Sequence, residues 1–327
     1  MPSLKNADPY GRGNNRFIIS TGDFIRVSRG ESCEPMKTML YSKPITEIIR
    51  QRFSCRTFFE KPIEEYKKQR LTEFISANGT GPLGTPVRFE LAAATERDRS
   101  SLKGLGTYGI IRGATGFIIG AVRQSKNSLE DYGCLMERVI LYATDIGLGT
   151  CWLGGTFTRS RFAKKISAAG GEIVPAVASI GYVAERGRSV VTMRKLVGAH
   201  NRQPWENMFF QNEFGKPLSR DDAGEYAVPL EMVRMGPSAS NKQPWRIIKD
   251  GNAWHFYLQR TKGYGNSFTF KLLRLADLQR VDMGIAMSHF ELTANETGLK
   301  GKWTVREPQV KKPDSLTEYT VSWVGRG

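Results

Sequence analysis

The sequence predicts an α+β fold in which one chain carries two repeated halves arranged as a pseudo-dimer. Three observations predict it. A stretch repeats itself without a gap at a distance of 151 residues (133 to 284). A helix–loop–strand order precedes both copies, and a strand of similar pattern closes both.

The repeat is the strongest signal. "DYGCLMERVILYATDIGLGTCW" (Asp131 to Trp152) aligns with "DMGIAMSHFELTANETGLKGKW", which ends at Trp303. Gly133 meets Gly284, Met136 meets Met287, Leu141 meets Leu292, Ala143 meets Ala294, Gly147 meets Gly298, Leu148 meets Leu299 and Trp152 meets Trp303. Chance supplies two or three such matches, not the set. Each copy reads as an apolar-periodic helix stopped by glycine, then a strand. Upstream, "LTEFISANGTGPLGTPVRFELAAA" (from Leu71) parallels "LEMVRMGPSASNKQPWRIIKDG" (from Leu230) with one gap. Downstream, "PAVASIGYVAE" parallels "EYTVSWVGRG", both read as alternating strands. The expected organisation is a polar, Gly-, Asn- and Ser-rich leader over 1–40, poorly ordered and with Met36 or Met39 as alternative starts; a first half over 41–200; a connection over 201–228 with little periodicity; and a second half over 229–327. Related halves pack around a pseudo-twofold axis, as a homodimer fused into one chain would.

Composition narrows the function. Hydrophobic residues make up 40% of the 327 and charged residues 24%, enough apolar material for a sizeable core. The formal net charge of +16 suits an anionic partner or serves solubility. No run of five consecutive Lys or Arg and no aromatic–basic repeat occurs, which argues against nucleic acid. The four cysteines (Cys33, Cys55, Cys134, Cys151) form no CxxC and no metal spacing, so reduced thiols, no metal and a cytoplasmic location are expected. No apolar stretch approaches the length of a membrane span, and the first 40 residues lack the apolar core of a secretory signal.

Three short segments carry candidate chemistry. In "RQRFSCRTF", Arg52, Ser54 and Arg56 alternate, so an extended backbone puts two guanidiniums and a hydroxyl on one face, a suitable clamp for phosphate. The plain alternative is a solvated basic edge. In "GLGTCWLGGTF", Gly147 and Gly149 are read as ending a helix, and Gly154 and Gly155 follow a strand, where backbone N–H groups could approach a flat ligand. The plain alternative is a turn. In "GPSASNKQPWRI", Pro237, Ser238, Ala239 and Ser240 form a narrow shelf, and Asn241 offers both donor and acceptor. The plain alternative is a helix C-cap with turn residues, which needs neither Asn241 nor Gln243-Pro244-Trp245. The first half carries the arginine and glycine segments, and the second half carries the loop. Neither half carries both, which suggests one composite site per chain.

Together these segments resemble the FMN-dependent nitroreductase family, in its internally duplicated branch. The motifs are RxSxR (Arg52, Ser54, Arg56), PSxxNxQPW (Pro237, Ser238, Asn241, Gln243, Pro244, Trp245) and GLGxxWxGG (Gly147 to Gly155). The resemblance implies a nitroreductase-like fold, with FMN at the interface of two subunits or, here, two halves. It implies that Arg52, Ser54 and Arg56 hold the ribityl phosphate and the pyrimidine edge. Pro237, Ser238, Ala239 and Asn241 would line the isoalloxazine and ribityl from the other half, and Gly154 and Gly155 would present N–H groups near flavin N5. Arg202 matches an arginine that closes on the phosphate, and His200 stands where the family often has lysine. Cys55 and Cys151 are read as packing. The implied activity is ping-pong hydride transfer from NAD(P)H, the basic balance leaning towards NADPH, through one FMN to a nitroaromatic, quinone or similar small-molecule acceptor. The flavin supplies the difficult chemistry, so no catalytic side chain is expected. The three histidines (His200, His255, His289) are scattered, and His289 reads as a filler. The expected assembly is a pseudo-dimeric monomer or weak homodimer with no membrane partner. Two alternatives stay open: dehalogenation or flavin cleavage on the same fold, and a non-catalytic flavin-binding protein.

Overall fold

A computed structural model describes residues 41–95, 98–184, 201–264 and 276–326. The expected leader, with Cys33, and His200 lie outside the described residues.

The two repeated helices, Ser128–Asp145 and Leu278–Glu296, form the centre. Most positions of both are buried, polar ones such as Asp131, Glu137, Asp282 and His289 included, as expected of helices enclosed on most sides. They pack on each other through the repeated glycines. A Cβ on Gly133 would overlap the Val281 carbonyl oxygen, and one on Gly284 would overlap the Glu130 carbonyl oxygen. Val281 and Glu130 are themselves repeat mates. The contact is therefore isologous: each helix offers the same patch to the other, the signature of twofold symmetry inside one chain.

Both helices stop in the same way. Gly147 has φ +81° and Gly298 φ +82°, a left-handed region where a side chain is strained. Beyond each, Leu148 N donates to Ala143 O and Leu299 N to Ala294 O, both at 2.8 Å, closing orphan carbonyls in a Schellman-type turn. Gly149, expected at the helix end, instead opens a strand, since the turn is complete one residue earlier.

The sheets repeat as well. In the first half, β1 (Phe58–Phe59), β2 (Val87–Ala93), β3 (Gly116–Arg123), β4 (Gly149–Leu153), β5 (Glu172–Ile173) and β6 (Val177–Val183) form an antiparallel sheet whose main order is β2-β3-β6-β4. β1 extends the β4 edge along β6, and β5 pairs with β3. In the second half, β7 (Phe209–Gln211), β8 (Trp245–Asp250), β9 (Ala253–Gln259), β10 (Gly301–Thr304) and β11 (Thr317–Gly325) include the order β8-β9-β11-β10. Strand for strand this is the order of the first half. Trp152 and Trp303 occupy the same edge strand, β4 and β10.

Two expectations are corrected. The closing strand β6 does not alternate: Val177 to Gly181 are all buried. Its sheet is covered on both faces, with Ala178 and Ile180 in the cluster around the first central helix and Val177 packed with Phe157 and Phe162 on the other side. Residues 201–228 are also more ordered than an aperiodic connection. Phe209 and Phe210 enter the second sheet as β7, parallel to β8, and Ser219 caps the short helix Arg220–Ala223 by accepting from Asp222 N.

The helix crossing generates a stability prediction. Gly133→Ala or Gly284→Ala forces a methyl against backbone that has no rotamer by which to yield, and each should cost about 1–3 kcal/mol. The pair should cost less than the sum, because either substitution alone already separates the helices. Urea midpoints of the two single variants and the double variant test this; a wild-type midpoint for either single variant would refute the close crossing.

Candidate functional site

The loop 236–243 is held in an unusual backbone conformation. Ser240, Asn241 and Gln243 all have φ between +50° and +54°, a region that costs a non-glycine residue of order 1 kcal/mol or more and persists only where surroundings impose it. Local hydrogen bonds impose it here. Gln243 N donates to Ser238 Oγ at 2.8 Å, and Asn241 N to Ser238 O at 3.0 Å. Asn241 Nδ2 donates to Asn201 O at 2.9 Å, Gln243 Nε2 donates to the same carbonyl at 3.2 Å, and Gln203 N donates to Gln243 Oε1 at 2.9 Å. The amide side chains thus tie the loop to residues 201–203. Gln243 is buried. The dense polar spacing of this segment has a structural use: Asn241 and Gln243 complete a strained turn and pin the chain that carries Arg202.

Arg202 is bound on both sides, Nη1 donating to Asn241 Oδ1 at 3.1 Å and Nη2 to Met235 O at 3.0 Å. Burial lowers its pKa to about 10, helped by the positive charges of Arg52 and Arg234. Arg202 and Arg52, one from each side of the interface, therefore share one small region. Arg52 follows the helix Ile45–Gln51, and its side chain is only 6% exposed. Its Nε lies 3.7 Å from Glu137 Oε1, yet Nε and Nη1 have no hydrogen-bond acceptor, and neither does the buried Nη1 of Arg56. Buried guanidinium N–H groups without acceptors are costly. An oxyanion of a bound ligand would satisfy them, so the residues present suit a phosphate.

Beside this basic region lies a cavity of about 250 Å³ between the halves. Ser54, Arg56, Gly154 and Gly155 line it from the first half, and Pro237, Ser238 and Ala239 line it from the second. The segment carrying Ser54 runs along β4, with Cys55 N donating to Thr150 O at 2.8 Å. Gly154 is needed for packing, because a Cβ there would overlap Leu278, whereas a Cβ on Gly155 would meet nothing within 4 Å. Arg52, Arg202 and Asn241 stand outside the cavity wall, in the adjoining basic region. Cys55 packs, but Cys151, also read as packing, lines the cavity, and burial raises its thiol pKa. Trp152 of the glycine motif and Ser240 of the loop also line it, and Thr156, Ala176, Leu278, Val281, Asp282 and Ile285, which were not singled out as site residues from the sequence, complete the described wall.

Glu137 supports the basic region from the core. It is fully buried and takes the Trp152 indole N–H on Oε2 at 2.7 Å. His289 Nε2 faces Oε1 at 2.9 Å, and His289 Nδ1 faces the Met232 carbonyl at 2.8 Å. A carbonyl only accepts, so Nδ1 carries a hydrogen, and one further proton lies between His289 and Glu137. The other half repeats the theme: Trp303 Nε1 donates to Glu291 at 2.9 Å, and Arg138, the repeat mate of His289, donates to it at 2.7 Å. His289 is thus a buried network member and not a filler.

The symmetry-related cleft is different in kind. Val305, Glu307, Asn127 and Glu130 line it, and they are the repeat mates of Gly154, Thr156, Leu278 and Val281 in the cavity. Ion pairs cross it: Arg280–Glu130 at 2.6 Å, Arg260–Asp277 at 2.6 Å and Arg260–Glu318 at 2.9 Å. Its arginines already have carboxylate partners, whereas Arg52 and Arg56 keep unused donors.

The family described as "Putative TM nitroreductase" matches residues 44–294. Among solved structures, the crystal structure of a "putative nitroreductase" from Thermotoga maritima is similar over 90% of this chain and 99% of its own, at 19% identity and a TM-score of 0.56. A nitroreductase with bound FMN from Bacteroides fragilis matches 45% of this chain and 91% of its own, at 21% identity and a TM-score of 0.34. No curated protein matches the sequence. Among the described residues no helix is long and apolar enough to cross a membrane, and no cluster of His, Cys, Asp or Glu could hold a metal.

Glu137→Ala strips the hydrogen-bond partner from the Trp152 indole and from His289, removes the carboxylate that faces Arg52, and should cost about 3–5 kcal/mol, the scale of breaking a buried charged pair from one side. Chemical denaturation measures this, and a loss below about 1 kcal/mol would show the network to be a surface-like pair of little weight.

Proposed function

Because the chain belongs to the nitroreductase family whose model it matches, we propose that it is an FMN-dependent oxidoreductase that takes reducing equivalents from NAD(P)H and passes them to a small organic acceptor such as a nitroaromatic or quinone. The observation that carries this reading is the set of buried, unsatisfied guanidinium donors on Arg52 and Arg56, next to a cavity walled by both halves. A flavin phosphate answers those donors, and a flat ring system answers a cavity with glycine on one wall and a proline-containing shelf on the other.

In this reading FMN supplies the hydride chemistry, and the protein binds and orients it. Arg52, Arg56 and Arg202 gather positive charge at the phosphate end. Asn241 keeps Arg202 in place rather than reading the ring directly, since both ends of its amide are engaged with Arg202 and Asn201. Ser54 and the Gly155 segment face the cavity from the first half, and Ser238 and Ala239 face it from the second. The ion-paired second cleft favours one FMN per chain.

The visible spectrum of the purified protein tests the proposal, before and after NADPH is added without oxygen. One flavin equivalent per chain that bleaches on addition is expected. A colourless protein that refuses added FMN would end the cofactor reading, and a bound flavin that nicotinamides cannot bleach would end the reductase reading. Arg56→Ala should weaken FMN binding roughly ten- to hundredfold, the loss of one charge-assisted hydrogen bond, with the fold intact. Asn241→Ala should weaken it in the same direction by freeing Arg202; equilibrium titration followed by flavin fluorescence reads both.

A further inference from the structure

Among the described residues, Asp282 is the one carboxyl group in the cavity wall. It sits in the first turns of the second central helix and is 3% exposed. Its only hydrogen-bond donor among the described residues is Ala239 N–H, which is shared between the two carboxyl oxygens at 3.0 and 3.2 Å. Its repeat mate, Asp131, supplies an internal comparison. Asp131 is also buried, but it receives one backbone N–H on each oxygen, from Leu83 and Thr85, both at 2.8 Å. Asp131 is a saturated loop anchor that lines neither cleft. Asp282 is half-saturated and faces a cavity.

We propose that Asp282 is the acid of this cavity, donating a hydrogen bond from its carboxyl group to the bound molecule and giving that proton to an acceptor as the acceptor is reduced. This rests on the reductase reading above. For a quinone the balance is simple: the quinone takes a hydride from the reduced cofactor and a proton from Asp282 and leaves as the hydroquinone. Asp282 is left as a carboxylate and regains its proton from water.

Electrostatics agree with the geometry. Burial pushes the Asp282 carboxyl well above the ordinary carboxylate range, the Ala239 N–H opposes this only in part, and the charge of Asp277 adds to it. Among the described residues, the titratable groups around it are Arg56 and Cys151 on the cavity wall and Asp277 and Tyr264 near the start of its helix. The shelf Pro237–Ser240 contributes none. A neutral acid close to a cofactor is suited to proton delivery near neutral pH.

Asp282→Asn separates the acid from the loop anchor, because the amide oxygen can still accept from Ala239 N–H. The first test uses protein freed of flavin. A carboxyl whose folded pKa lies above its unfolded value, about 3.9, stabilises the fold fully below that value and loses the contribution as pH rises through the folded value. Melting curves between about pH 5 and pH 9 should therefore show the Asn variant gaining on the wild type as pH rises and levelling off above the folded value. A constant difference across that window would mean an ionised Asp282 and would overturn the proposal. The second test uses protein loaded with FMN, its content checked by absorbance. Quinone reduction by the wild type should fall on the alkaline side, and Asp282→Asn should be roughly a hundredfold slower and lack that limb. If Asp282→Asn matches the wild type while Asp282→Ala is slow, Asp282 is only an anchor like Asp131, and the proposal falls. If no variant and no wild-type protein holds FMN, the cofactor reading fails instead, and the melting curves still decide whether Asp282 is an acid.

Discussion

The close approach of two glycines fixes this molecule. Gly133 and Gly284 let the central helices meet backbone to backbone, with Val281 and Glu130 as the surfaces they touch. Everything that faces the candidate site is referred to that crossing. The first helix carries Glu137 below Arg52, and the second carries Leu278, Val281, Asp282 and Ile285 in the cavity wall. A larger residue at either glycine would move both helices apart and shift the two halves of the wall relative to each other. The constraint is mutual because the contact is isologous, and this is why the same residue type recurs at the same place in both copies.

From a symmetric frame the chain builds an asymmetric pair of clefts. The differences are few and local. Val281 faces one cleft where Glu130 faces the other, and Gly154 stands in one where Val305 stands in the other. Glu130 holds Arg280, and Asp277 with Glu318 holds Arg260, so the second cleft is lined by arginines already engaged in ion pairs. In the first cleft the corresponding positions are small or apolar, and Arg52 and Arg56 keep buried donors without acceptors. The duplicated frame has two equivalent places, and they differ by carboxylates: Glu130 and Glu307 stand in one where Val281 and Thr156 stand in the other.

Much of the architecture was legible in the sequence because the repeat is ungapped: matched Gly, Met, Leu and Trp positions fix helix, C-cap and strand in both halves at once. Ser54, Arg56, Gly154, Gly155, Pro237, Ser238 and Ala239 all reach the cavity, since motif residues on rigid strands and turns travel little from where their spacing puts them. Other features depend on long-range partners and leave no local mark. Asp282 looks like an N-terminal helix acid, and only its opposition to Ala239, some 43 positions away, makes it a buried cavity carboxyl. Its alignment with Asp131 was a usable signal, because a carboxyl kept in both copies at a helix start suggests a shared loop anchor. The strand β6 reads as alternating until the cover on its second face is known, and that cover comes from Phe157 and Phe162 in a segment with no strand periodicity. Asn241 and Gln243 were legible as important but not in their role, which depends on residues 201–203 lying against the loop.

The buried polar groups carry a further consequence. Arg52 would be hard to retain in the core without Glu137, and Glu137 without the Trp152 indole and His289. Each member offsets the desolvation of the next, so the chain of contacts holds together only as a unit. That unit begins on the second central helix at His289, crosses to the first at Glu137, and ends on the segment that bears Ser54 and Arg56. Its pseudo-symmetric counterpart, Arg138–Glu291–Trp303, pairs the arginine directly with a carboxylate at 2.7 Å and leaves Arg138 Nε without an acceptor. Exchange of arginine for histidine at one repeat position goes with a second, external arginine on that side. In this way the network on the cavity side ends on Arg52, whose Nε and Nη1 are buried without hydrogen-bond acceptors, whereas Arg138 on the other side is held by Glu291 at 2.7 Å.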